Sequence, residues 1–370
     1  MDKIKRFITC HIPVYSCNFR CSYCYVGQHE NAYNDGIRDF CTTPENIALF
    51  FSKERTGGIC YFNLCGFGET FLHPQLISLV SSLTDSGHYV DIITNGVISN
   101  KIDEMINVLT EEQKKHLFIK FSFHYLELRK KQLLEKFHEN VQKCVKSKIS
   151  YTIEITPHDE LIPYIEEIKE QSLELFGALP HISVARNEET SNISLLSKYT
   201  KEKYKEIWSV FDSTLFDFKL SIFNEKRKEF CYAGEWSLSV NLLTGDYTQC
   251  YCGKKLGNIK ELSKPINFTP IGACPLPHCF NGHAFLAWGN IPELNTPLYV
   301  DERNRYTNSN FEWLQQNCKV FFSSKLNESN RELSTDEKKR IYRRNFFFAV
   351  YKDCVFKIKV FIKKLWKEVR

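Results

Sequence analysis

Apolar residues bunch into short runs along the first half of the chain. Runs with strand character fall near residues 7–14, 59–64, 89–94, 117–123, 150–156 and 180–185, each short and bounded by polar or turn residues. Between them, apolar positions recur at helical spacing near 44–55, 74–86, 100–112, 126–147 and 159–175. Pro44 and Pro74 stand where helices begin, a position where a missing N–H costs nothing. Six strands with helices between them predict an α/β fold of parallel β/α units. The pattern leaves open whether the sheet is flat or curled into a partial barrel.

From about residue 190 the pattern changes. Residues 198–229 read as charged helix and linker. Trp236–Asn241 and Tyr247–Cys252 then flank Thr244-Gly245-Asp246, which predicts a β-hairpin with a glycine turn. Residues 253–300 are rich in Gly, Pro and Asn and lack periodicity, so something other than a large core is expected to hold them. At the end, Val350, Cys354, Ile358, Ile362, Leu365 and Val369 recur three and four apart, with Lys352, Lys359, Lys363 and Lys367 on other faces. That is a C-terminal amphipathic helix. It has two readings: a terminal helix docked on the body, or, given Phe346, Phe347, Phe348 and Trp366, contact with an anionic membrane surface.

Charge sharpens this. The net charge is +5, yet residues 338–370 carry 12 Lys/Arg against Asp353 and Glu368, so the rest of the chain is net acidic. A basic tail on an acidic body argues against nucleic acid as a partner. No run of apolar residues reaches the length of a signal or spanning segment. A cytoplasmic setting follows, peripheral to a membrane if the tail makes contact. In such a reducing compartment, 15 cysteines point to metal binding more than to disulfides.

The densest chemistry is Cys17-Asn-Phe-Arg-Cys21-Ser-Tyr-Cys24, directly after the first strand. Three thiols so close can close on one polynuclear centre and leave one iron open. A zinc site with a distant fourth ligand is the alternative on spacing alone. Further along come Cys65-Gly66-Phe67-Gly68-Glu69-Thr70 after the second strand, Thr94-Asn95-Gly96 ending the third, and Phe121-Ser122-Phe123 ending the fourth. Each sits at a strand's C-terminal end, where parallel β/α folds gather ligands. Together, in this order, these motifs resemble the radical S-adenosylmethionine (SAM) superfamily over roughly residues 5–190. Thr70 departs from the family's usual proline.

The resemblance implies a partial (β/α)6 barrel. It implies a [4Fe-4S] cluster on Cys17, Cys21 and Cys24 whose open iron binds SAM. Tyr23 takes the family's aromatic position near the adenine, Gly66 and Gly68 let the backbone approach the methionyl group, and Ser122 falls where a ribose contact is placed. Glu69 and Asn95 belong to the same cofactor-binding motifs. Glu154 and Arg186, at the ends of strands five and six, are candidates for SAM's polar groups, with a rim salt bridge as the alternative. Cys65 is read as strand packing.

Cys231, Cys250, Cys252, Cys274 and Cys279 form a second group. Cysteines two apart on a strand share a face, about 7 Å apart, so Cys250 and Cys252 could reach one centre. The pattern around Cys231, Gly245 and Cys250 resembles a SPASM or twitch module, which implies an auxiliary [4Fe-4S] cluster. Five cysteines are too few for a full SPASM domain, so the twitch form fits, with Cys231, Cys250, Cys274 and Cys279 as ligands and Cys252 spare. The choice between Cys250 and Cys252 stays open. The expected organisation is a barrel over 1–195, a helical linker over 196–229, a small β-hairpin iron–sulfur domain over 230–300 and a helical segment with the basic tail over 301–370.

The activity implied is that of an oxidoreductase. SAM is cleaved to a 5′-deoxyadenosyl radical, which abstracts a hydrogen atom from a substrate C–H bond. The auxiliary cluster then accepts an electron for oxidation or bond formation, or the Cys252 thiol returns a hydrogen atom. A peptide or protein is one substrate class, and a sugar, aminocyclitol or lipid-linked glycan the other. With the first strand beginning near residue 7, a peptide substrate would call for a separate leader-binding partner. A flavodoxin or ferredoxin would supply electrons. His278, His283, Trp288, Asp301, Arg303 and Arg305 are candidates for a substrate pocket, or ordinary loop residues.

Overall fold

A computed structural model describes residues 2–29, 32–33, 35–189 and 193–368. The six apolar runs form six parallel strands: β1 (Arg6–Ile12), β2 (Cys60–Gly66), β3 (Tyr89–Thr94), β4 (Leu117–Ser122), β5 (Ser150–Ile155) and β6 (His181–Ile182). They pair in chain order. Helices cover their outer face, so the strands read as nearly continuous apolar runs rather than alternating ones. Most expected helices are present but broken. The run 126–147 divides into Tyr125–Lys130 and Leu134–Lys146, with Gln132 at positive φ between them. The run 100–112 ends at Val108, because Thr110 and Gln113 build a capping box that starts a new helix.

Register brings the motifs to one edge. Ile12 lies opposite Gly66, Thr94 opposite Phe121, and Ser122 opposite Glu154. The loops after β1 to β4 therefore leave the sheet side by side.

Three further strands follow: β7 (Ser237–Asn241), β8 (Asp246–Thr248) and β9 (Lys255–Asn258). β7 runs parallel to β1, with Phe7 opposite Ser237 and His11 opposite Asn241. The hairpin thus extends the barrel's own sheet, in the order β9-β8-β7-β1-β2-β3-β4-β5-β6. The second hairpin strand stops at Thr248, so Cys250 and Cys252 lie on a turn closed by Gly253 N–H to Cys250 O (3.0 Å) and not on a shared strand face. Gln249 Oε1 accepts from Lys254 N–H at 3.1 Å, and this local bond takes the chain out of the ladder.

The expectation that residues 253–300 lack a large core does not hold: Ile259 and Ile266 join the main core. Phe285, Leu286, Trp288, Ile291 and Tyr299 are buried with Phe7, Tyr61, Tyr89, Phe118, Phe321 and Phe322 in a second apolar cluster. This cluster closes the N-terminal end of the barrel. Its residues come from strand starts, short helices and the turns between them, so no single period announces them. The terminal helix spans Thr335–Glu368. Its start is docked: Asn345 is buried, with Nδ2 donating to Pro270 O (3.2 Å) and Ile271 O (3.0 Å). Beyond it Phe347, Tyr351, Ile358 and Phe361 are exposed. The side chains of Phe348, Lys352, Lys363, Leu365, Trp366 and Lys367, and all of Val369, lie outside the described residues. Among those described, no helix is long and apolar enough to cross a membrane.

Candidate functional site

Three cysteines on the loop after β1 face the glycine turn after β2. Cys17, Cys21 and Cys24 line one cavity of about 160 Å³ with Gly66, Gly68, Glu69, Asn95 and Ser122. Gly68 is required by contact: a Cβ there would lie 1.9 Å from Ser16 O. The same approach lets Glu69 N–H donate to Ser16 O at 2.9 Å, which ties the glycine turn to the cysteine loop.

Glu69 is buried and engaged on both oxygens. Oε1 accepts from Phe71 N–H (3.0 Å) and Thr94 Oγ1 (2.8 Å), and Oε2 accepts from Asn95 N–H (2.7 Å). Burial pushes its carboxyl pKa up, and the three donors pull it back. Glu69 thus positions the ends of β2 and β3. Asn95 carries the tie onward, its Nδ2 donating to Asn18 Oδ1 at 2.6 Å, inside the cysteine triplet.

Burial pushes the Cys17 thiol up to about 11 and the Cys21 thiol to about 12. Unliganded, these are thiols, and loading a metal centre would release their protons. Tyr33 Oη donates to Cys24 Sγ at 3.2 Å. Cys65, expected as strand packing, lies on the same cavity wall. Its thiol is pushed up to about 12 by burial.

Tyr23 is buried beneath two histidines that sequence reasoning did not single out. Its ring stacks on His158 at 3.9 Å, and its hydroxyl donates to His124 Nδ1 at 2.6 Å. Burial pushes His124 down to about 4, so the imidazole is neutral and can accept. His124 directly follows the Phe121-Ser122-Phe123 motif, which was the available signal. A further cavity of about 370 Å³ opens beside Ser22, Tyr23, His158 and Asn187.

Glu154 and Arg186 part company. The Glu154 carboxylate accepts from Arg303 Nη1 at 2.7 Å, with Arg303 fully buried. This is the rim salt bridge. Arg186 pairs with Glu188 and lies 4.1 Å over the Tyr25 ring, and it lines a cavity of about 170 Å³ with Tyr23, Cys24, Tyr25, Ser122, His124 and Lys219.

The second cysteine group also converges. Cys231, Cys250, Cys252, Cys274 and Cys279 line one hollow. Cys231 is fixed by paired backbone bonds with Gly272 (2.9 and 3.0 Å). Burial pushes the Cys231 and Cys279 thiols well up. Hydrogen bonds to Cys250 and Cys274 push Cys252 up, and the same contact holds Cys274 below the ordinary thiol value. Cys252 is therefore a member of the ring of five and does not stand apart from it. Among the described residues, no three His, Cys, Asp or Glu side chains converge on a point that would hold a single metal ion.

Of the loop candidates, His278 and His283 line a small hollow with Lys219 and Cys279. Trp288 belongs to the buried cluster at the barrel's base. Asp301 Oδ2 accepts from Leu298 N–H at 3.1 Å, and Arg305 Nη2 donates to Phe211 O at 2.9 Å, both structural uses.

Residues 12–171 match the family described as the radical SAM superfamily. A curated relative, GTP 3′,8-cyclase of Microcystis aeruginosa, is 33% identical over 94 residues, which are 24% of this chain and 27% of that protein. The match thus spans about a quarter of the relative's length. Solved structures with a similar course include SuiB of Streptococcus suis bound to the precursor peptide SuiA (13% identity, TM-score 0.48), covering 72% of this chain and 64% of that one. Another is anSMEcpe with bound AdoMet (16% identity, TM-score 0.44), covering 96% of this chain and 98% of that one.

Proposed function

We propose that this chain, a radical SAM enzyme, oxidises or joins bonds in a peptide or protein substrate held between two iron–sulfur centres. The observation that carries this is the arrangement of the two thiol sets. The cavity behind Cys17, Cys21 and Cys24 shares Cys24, Tyr25, Ser122 and His124 with the 170 Å³ cavity. That cavity shares Val184, Arg186 and Lys219 with the hollow that reaches Cys279. A substrate bound there would face both.

The donor sets fit the groups. Cys17, Cys21 and Cys24 would hold a [4Fe-4S] cluster and leave room for SAM. Four of Cys231, Cys250, Cys252, Cys274 and Cys279 would hold an auxiliary one. When bound, the first cluster and SAM supply hydrogen-atom abstraction from a substrate C–H bond. Tyr23, steadied by His124 and His158, would offer the adenine a flat buried face. Gly66 and Gly68 would present backbone to the methionyl group, in a turn that Glu69 and Asn95 hold in place. Ser122 would meet the ribose. The aromatic base of the barrel would exclude water from below. The peptide preference rests on the likeness of the Cys231–Cys279 module to SPASM and twitch domains. The exposed apolar residues of the terminal helix, beside its Lys and Arg, add a peripheral contact with anionic lipid.

The test is an iron and sulfide count on protein reconstituted without oxygen. About eight irons per chain, falling to about four in a Cys17/Cys21/Cys24→Ala variant, is the expected result. Reduced wild-type protein should release 5′-deoxyadenosine from SAM. Four irons lost together in the variant would remove the auxiliary cluster, and zinc without iron would end the radical reading.

A further inference from the structure

Two neighbouring cavities share Val184, Arg186 and Lys219 in their walls. Lys219 sits on the helix Thr214–Ser221, which packs beside β6. Its Nζ donates to Ser183 Oγ at 2.6 Å, and that is its one hydrogen-bond partner among the described residues. An ammonium carries three donors, so two remain for something else. Lys219 is partly exposed, and it lines both cavities.

The surrounding charges are already spent. Lys120 pairs with Asp91 at 2.5 Å, Arg303 with Glu154 at 2.7 Å, and Arg186 with Glu188. Glu302 is fully buried, lies 3.8 Å from Arg303 Nη2, and has its carboxyl pushed well up by burial. His278 and His283 line the same hollow and make no ion pair among the described residues. Lys219 is left without an ion pair among the described residues. A partly shielded ammonium with no counter-ion is costly, and burial with Arg186 nearby pushes Lys219 down to about 7. A ligand that brings one negative charge and two acceptor oxygens would complete the site. A phosphate brings a larger charge than one lysine balances, and both nearby arginines are committed.

We propose that Lys219 anchors the substrate through a carboxylate, in the cavities that reach Cys24 and Cys279. The assignment rests on the function proposed above only in calling the occupant a substrate. Peptide carboxylates and small free acids share this chemistry, and the probes separate them.

The test uses the full chain, reconstituted and loaded with SAM. Lysines are reductively methylated with formaldehyde, and the Lys219 peptide is followed by mass spectrometry. The probes are acetyl-triglycine, acetyl-triglycine amide, glutarate and inorganic phosphate at equal ionic strength. Acetyl-triglycine should slow labelling of Lys219 by about threefold or more relative to its amide. Protection by the peptide alone assigns a peptide carboxylate, and equal protection by glutarate assigns a small acid; either supports the anchor. Equal labelling with acid and amide, or best protection by phosphate, overturns it. As a second readout, acetyl-triglycine should raise the melting temperature of wild type and Lys219→Arg but not of Lys219→Met; an equal rise in Lys219→Met overturns the anchor. Release of 5′-deoxyadenosine by the wild type tests the radical reading separately, so either idea can fail alone.

Discussion

Single residues decide how the candidate site is held. Glu69 joins three donors from two strand ends. In Glu69→Gln one amide group would face donors with a donor. Unmatched buried donors cost about 1–3 kcal/mol, so the variant should melt measurably lower and release less 5′-deoxyadenosine. An unchanged melting curve would show that the three bonds matter less than their geometry suggests. The motif around Glu69 was legible in the sequence, but its use as an internal brace was not. A short motif gives the residue and leaves its partners unspecified. The same holds for Tyr23: its aromatic position was visible, while the pairing with His124 and His158 needed residues 101 and 135 positions away.

At the level of elements, close approach and capping set the boundaries. Gly68 lets the turn after β2 touch the cysteine loop, and a Cβ would meet Ser16 backbone at 1.9 Å. Backbone cannot yield as a flexible side chain can, so Gly68→Ala should displace the loop. We expect it to lose iron bound by Cys17, Cys21 and Cys24, and not the iron proposed for the second cysteine group; full loading of the first site would count against this contact. The terminal helix begins with Ser334 and Glu337 capping each other, N–H to side chain at 2.8 and 3.3 Å. The Arg331 guanidinium, at 2.9 Å, and Ser334 hold the Glu337 carboxyl down at about 2. A lowered native pKa stabilises the folded state above the unfolded value, about 4.3, and that stabilisation fades as pH falls through about 2. Carboxyl NMR should show Glu337 titrating near 2, and a midpoint near 4.5 would mean the cap does not form. Helical periodicity placed a helix over residues 350–369, and its start at Thr335, with the Ser334 and Glu337 cap, came only from the structure.

Across the whole molecule, the chain after residue 230 returns to extend the main sheet. β7 pairs with β1, and the aromatic residues from 285 to 322 fill the base. The terminal helix is held as far as Asn345, and exposed apolar residues follow. A chain ending at residue 347 should therefore keep the melting temperature of the full protein. It should also lose binding to phosphatidylserine vesicles, binding that salt weakens in the full chain. Vesicle binding that survives the truncation would place the contact elsewhere.

The sequence alone determined the six β/α units, because strand and helix periods are local and each unit carries its own. It also determined the order of motifs at the strand ends and the two sets of cysteines. Only the tertiary structure decided that the hairpin extends the barrel sheet through β1, since pairing between residues more than 200 positions apart leaves no local period. It placed Cys250 and Cys252 on a turn, where a side-chain bond from Gln249 ends the strand early. It brought Lys219 into the cavities that reach Cys24 and Cys279, without a counter-ion among the described residues. That isolation depends on which carboxylates are already paired, a property of the packed molecule and not of any stretch of its chain.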